Sequence, residues 1–181
     1  MGNVIQGRAL GAVSRGVNNP LNMVADLQGS VVMGFVSKDI FYLRFIGHVA
    51  APLGAKCAAL LRKQLAAQAV QGIFCDAEPA YSIDLSARSE VVRAFLDNRR
   101  HLESMATLVG TPAVAPTLRA IATVLDCLAV IAETPDDFHT MLIRAAPYAQ
   151  ARLPRDTWAR SVLSERPGRK SARMRVAPRR S

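Results

Sequence analysis

Cysteine is scarce in this 181-residue chain, and the three present, Cys57, Cys75 and Cys127, are odd in number, widely spaced and set among apolar neighbours. Such spacing is unlike a disulfide framework or a zinc knuckle and leads us to expect reduced core thiols in a cytoplasmic protein. Long apolar runs are missing too. Pro or Gly interrupts the charge-free stretches well short of the ~18–20 residues that a membrane helix needs. The opening Met1-Gly2-Asn3-Val4-Ile5-Gln6 holds no apolar core of signal-peptide length, and Gln6 stands where a myristoylation motif wants Ser or Thr, so export and acylation are not expected. Catalytic signatures are equally absent: there is no Gly-x-Ser-x-Gly elbow, His-Glu-x-x-His, Walker loop or Gly-x-Gly-x-x-Gly. His48, His101 and His139 lie far apart, without metal-ligand spacing. A non-enzymatic protein with no cofactor and no metal is the expectation.

Acidic residues are outnumbered 14 to 23, for a net charge of +9, but the shortage is local. Residues 1–151 hold 13 basic and 12 acidic side chains, whereas 152–181 hold 10 and 2, so the segments carry +1 and +8. With 50% hydrophobic residues overall, the first part is long enough for one ordinary core. The tail is different. After Leu153, Trp158 and Val162, which allow one short helix, Arg166, Arg169, Lys170, Arg173, Arg175, Arg179 and Arg180 follow with Pro and Gly and no core-forming pattern. This predicts a largely disordered cationic arm over 151–181. Such an arm attracts nucleic acid, an anionic surface or an acidic partner by salt-sensitive binding, or serves only to solubilise the chain.

Residues 1–29 combine five glycines, four asparagines and Pro20 without a sustained period, and read as a flexible leader with at most a helical turn around 21–27. Regular patterning begins at Ser30. Val31 to Val36, a Ser37-Lys38-Asp39 turn and Ile40 to Val49 form a hairpin signal. In its second arm Phe41, Leu43, Phe45 and Val49 make an apolar face, while Tyr42, Arg44, Ile46 and His48 make a mixed one. A sheet covered on one side fits this, with Arg44 as a solvated side chain.

Pro52 opens an amphipathic helix over 52–70, and Ile73-Phe74-Cys75-Asp76 reads as a strand ending at a loop. Asp84 suits a cap for a helix reaching about His101, and Met105 to Val109 is the next strand. A further helix starts near Pro116, and the apolar run from Cys127 to Ala132 reads as a strand buried on both faces. Thr134-Pro135-Asp136-Asp137 combines an N-cap, a first-turn proline and two acids ahead of Phe138, Met141 and Leu142 at helical spacing. The resulting order is ββαβαβαβα. It predicts an α/β domain over 30–150 with a mixed four- to five-stranded sheet and right-handed crossovers.

This order, together with Asp76 at a strand end and Tyr81-Ser82-Ile83-Asp84-Leu85-Ser86-Ala87-Arg88 after the loop, resembles the STAS family, the domain of bacterial anti-sigma factor antagonists. The resemblance spans about 30–146 and includes Leu108-Val109-Gly110-Thr111 and Glu133-Thr134-Pro135-Asp136-Asp137-Phe138. It implies helices mainly on one face of the sheet. It also implies that Asp84 matches the second Asp of the family motif and Ser86 the serine phosphorylated by an anti-sigma kinase. Leu85, Ala87 and Arg88 depart from that motif, which has Ser, Gly and Leu there. The implied function is a signalling module that docks an anti-sigma factor, a serine kinase or another signalling protein through Asp76, Tyr81, Ser82, Asp84 and Arg88. A nucleic-acid or anionic-surface binder working through the arm is the alternative, and a small-ligand-binding member a third reading.

Overall fold

The computed structural model describes residues 21–110, 115–149 and 153. The elements are β1 (Asn22–Ala25), β2 (Gly29–Phe35), β3 (Ile40–Val49), α1 (Ala51–Ala67), β4 (Gly72–Asp76), β5 (Ala80–Ile83) and α2 (Leu85–Leu96). They continue with β6 (Ser104–Leu108), α3 (Ala115–Leu125), β7 (Leu128–Ala132) and α4 (Pro135–Ala145). The seven strands form one mixed sheet, six of them in the order β1-β2-β3-β4-β6-β7, with β5 pairing with β3 off that path. Pairing is antiparallel from β1 to β3 and parallel from β3 onward.

Two strands exceed the expected four to five. Residues 22–25, read as leader, form the edge strand β1 because Met23 and Val24 pair with Val32 and Val31 of β2. Asp26 closes the connecting turn by accepting the backbone N–H groups of Gln28 and Gly29 at 2.8 and 2.9 Å. The second addition, β5, arises because β3 is ten residues long. Its first half pairs with β4, and its end pairs with β5 after a register shift at Gly47. Gly47 has φ +73°, and a Cβ there would lie 2.5 Å from the Gln28 carbonyl oxygen, so the shift requires glycine.

Both faces of the sheet are covered. Leu53, Cys57 and Leu61 of α1, Val91 and Phe95 of α2, and Leu125 of α3 join Val31, Met33, Leu43 and Phe45 in the larger core. On the opposite face Phe138 and Leu142 of α4, with Ala146, Ala149 and Leu153, cover Tyr42, Phe74, Ala106 and Leu108. This second layer corrects the reading of the mixed face of β3. Arg44 is not solvated: it is 3% exposed beneath α4. The run from Cys127 to Ala132 departs in the other direction. As the last strand of the sheet, β7 leaves Leu128 68% exposed.

Helix α4 begins as its sequence requires, with the Thr134 hydroxyl accepting the Asp137 N–H at 3.1 Å and two acids in the first turn. Next to Phe138, His139 is buried, and desolvation holds its pKa below the ordinary value despite the opposing pull of Asp136. A histidine shifted this way binds fewer protons folded than unfolded. Its contribution is therefore complete above the free value of about 6.5 and is lost as pH falls through the folded pKa. Urea unfolding across that window should show stability declining toward acid, and the slope should shrink in His139→Gln. An unchanged slope would assign the acid loss elsewhere.

Candidate functional site

The junction of β5 and α2 carries most of the residues singled out in the sequence. Ser86 is exposed in the first turn of α2, next to Leu85 at 76% exposure, and Tyr81 on β5 is 77% exposed. Ser82 is exposed as well, so the corner presents two hydroxyls beside two large apolar side chains. The Tyr81 ring stacks on His48 of β3 with centroids 6.3 Å apart and planes 21° from parallel. A tyrosine held this way reaches solvent with reduced rotamer freedom.

Asp84 occupies the N-cap position of α2, but its side chain makes no capping bond to that helix. Its Oδ2 instead accepts the N–H of Ala51, the first residue of α1, at 3.0 Å, while Oδ1 lies 3.8 Å from His48 Nε2. One carboxylate thus satisfies the start of the neighbouring helix and leaves the first turn of α2 without a side-chain cap. The two helix starts are also in close contact. A Cβ built on Gly54 of α1 would lie 2.3 Å from the Ala87 Cβ, so the absence of a side chain at Gly54 sets the approach of α1 to α2.

Asp76 does not belong to this surface. It was expected in a docking set, yet it is 3% exposed at the end of β4, with Arg44 Nε 3.2 Å from its Oδ2. Tyr42 Oη donates to Oδ2 at 3.4 Å and the Glu78 N–H to Oδ1 at 3.2 Å. Burial pushes its pKa up from the usual carboxylate range, against the lowering pull of Arg44 and the Glu78 N–H. Its role is to fix the strand end from which the loop to β5 departs. Arg88 is half-buried and turns back to the Ile83 carbonyl at 3.4 Å. Arg166, Arg169, Lys170, Arg173, Arg175, Arg179 and Arg180 lie outside the described residues.

Sequence reasoning missed a cavity of about 370 Å³ between the sheet and helices α2 and α3. Its walls include Phe45, Ile73, Val91 and Met105, together with Arg88 and Thr107. Alternation along β6 could have indicated a polar residue turned inward at Thr107, but not a space beside it. Burial raises the thiols, Cys75 to about 12 and Cys57 to about 11, which keeps them protonated and unreactive at neutral pH. Among the described residues no group of three or more His, Cys, Asp and Glu is placed to hold a metal ion. No helix among them is long and apolar enough to cross a membrane.

No protein-family model matches the chain, and no curated protein does. Among solved structures it is similar to an uncharacterized protein of the DUF3478 family from Shewanella loihica PV-4, which has a SpoIIAA-like fold. The TM-score is 0.50 at 16% identity, over 67% of this chain and 99% of that one. The fold is SpoIIAA-like. The anti-sigma factor antagonist SpoIIAA in its unphosphorylated form is similar with a TM-score of 0.48 at 14% identity, over 62% of this chain and 93% of its own. The STAS-like architecture expected from the order of elements is therefore the one observed, enlarged by β1 and β5. Within this SpoIIAA-like fold the β5–α2 corner brings together two stretches of chain: the passage from the end of β3 into α1, and the passage from β5 into α2.

Proposed function

We propose that this domain is a non-enzymatic regulatory module of a bacterial, cytoplasmic signalling pathway, and that it docks its partner through the β5–α2 corner. Tyr81, Ser82, Leu85 and Ser86 form the contact surface. Asp84 and Arg88 hold it in place from beneath. The observation that carries the reading is Ser86 itself, an exposed hydroxyl on the uncapped first turn of α2 between exposed apolar side chains. A phosphate added there gains from the free N–H groups and positive end of the helix, so the fold tolerates it. A docked partner meets about two new negative charges in an otherwise apolar contact. Phosphorylation of Ser86 thus changes binding without unfolding the domain. The partner that fits is an anti-sigma factor of the kinase type, or another signalling protein that reads the same surface.

Immobilised wild-type protein should retain a partner from bacterial lysate that Ser86→Ala also retains. Ser86→Asp should bind the same partner more weakly by roughly 10-fold, within the usual size of a regulatory coupling. Identical partner profiles for all three proteins would overturn the switch.

The charge of +8 on 152–181 favours one further activity, binding of nucleic acid or an anionic surface through Arg166 to Arg180. Deleting 165–181 should abolish salt-sensitive retention on DNA or anionic vesicles. Equal retention with and without the segment removes this reading.

A further inference from the structure

We propose that the cavity between the sheet and helices α2 and α3 binds a small amphiphilic anion. Its apolar body would lie among Phe45, Ile73, Val91, Phe95 and Met105, its acidic head on Arg88, and a second polar atom near the Thr107 hydroxyl. The inference goes beyond the docking proposal: Tyr81, Ser82 and Arg88 border this space as well as the β5–α2 corner, whereas Ser86 does not line it.

Size comes first. About 370 Å³ falls within the ~300–1,000 Å³ of sites for small organic molecules and is larger than the gaps that close packing leaves in a core. The lining is chiefly aliphatic and aromatic, which suits an apolar body. Charge then restricts the head group. Among the described lining residues Arg88 carries the one full charge, and no Asp or Glu shares the wall.

Arg88 also differs from its neighbours. Arg62 lies 3.1 Å from Glu90 and 3.5 Å from Asp97, Arg93 lies 3.1 Å from Glu90, and Arg44 has Asp76 at 3.2 Å. Among the described residues no carboxylate pairs with Arg88, whose bond to the Ile83 carbonyl is long at 3.4 Å. A half-buried guanidinium without a counter-charge is suited to carboxylate or phosphate.

Thr107 supplies the independent observation. It is 1% exposed, it lines the cavity, and among the described residues its Oγ1 has no hydrogen-bond partner. Buried hydroxyls are nearly always satisfied, and one turned into an apolar space of ligand size indicates a polar atom supplied from outside the chain. Its neighbours Ala106 and Leu108 point to the α4 side, so alternation along β6 selects Thr107 for the cavity.

The probe is decanoate, used below its micellar concentration on the full chain in moderate salt, with decan-1-ol as its uncharged counterpart. Calorimetry should show saturable one-to-one binding of decanoate. The alcohol should bind about 10-fold more weakly, the scale of a charge-assisted hydrogen bond. Nuclear Overhauser contacts from the decanoate chain should reach the Met105 and Ile73 methyl groups. Arg88→Gln should bring decanoate level with the alcohol, Arg88→Lys should keep a preference for decanoate, and Thr107→Val should weaken decanoate with its preference retained. Absence of saturable binding, contacts confined to residues outside the cavity, or an affinity unchanged in Arg88→Gln would each overturn the proposal. Loss of the Ser86 switch would leave it standing, because none of these readouts involves the docked partner.

Discussion

Replacing Asp76 by Ala is expected to lower the free energy of unfolding by about 3–5 kcal/mol, the cost of breaking a buried ion pair from one side. The carboxylate is held by Arg44 at 3.2 Å, by the Tyr42 hydroxyl and by the Glu78 N–H. Removing it leaves a guanidinium that is 3% exposed without this counter-charge, and the penalty of keeping that charge from water dominates the loss. Asp76→Asn should cost less, since the amide oxygen can still accept from Glu78. The pair is not a large net asset to the fold, because burial raises the Asp76 pKa even with Arg44 beside it. Replacing both partners with apolar residues, as in Arg44→Met with Asp76→Leu, should therefore recover most of the stability lost in Asp76→Ala. Urea unfolding of the single and double variants measures this. A double variant no more stable than Asp76→Ala would show that the pair itself supplies net stability.

Gly54→Val is expected to cost about 3 kcal/mol, at the upper end of what overpacking does in a core. Helix propensity alone predicts a gain for Gly54→Ala, of about 1 kcal/mol in a helix interior. Packing decides the sign. A Cβ at position 54 would sit 2.3 Å from the Ala87 Cβ and 2.4 Å from its Cα, so α1 and α2 must move apart even for alanine. Val adds two methyl groups to that clash. The contact at 2.4 Å is to backbone, and so Ala87→Gly should not restore either variant. Recovery in the Gly54→Ala, Ala87→Gly pair would show that the side chains, rather than the backbones, set the helix spacing. Separation of these helices also shifts Ser86, so the binding proposed for the β5–α2 corner should weaken along with the denaturation midpoint.

Much of the architecture was legible in the sequence because each element carries its own period. The hairpin of β2 and β3, the three β–α alternations and the Thr134 cap of α4 follow from local patterns of two or of 3.6 residues. The exposed start of α2 at Ser86 was legible for the same reason: Asp84 and the apolar spacing after it mark a helix boundary. The added strands were not. The four residues of β1 have no β-rich composition of their own, and they form a strand because β2 offers an open edge. In the same way β5 exists because β3 outruns β4.

What the sequence alone determined was therefore the order of strands and helices apart from β1 and β5, the SpoIIAA-like architecture that this order implies, and the concentration of positive charge in 152–181. Tertiary structure decided which faces were covered and which groups met across the chain. It buried Arg44 and Asp76 on the sheet face covered by a helix that begins only at Pro135, and gave the Asp84 carboxylate to α1 instead of its own helix. It also left a ligand-sized space beside Thr107. The physical reason is that periodicity states which side of an element is apolar, whereas coverage, charge pairing and cavities depend on residues distant in sequence, whose approach no local pattern encodes.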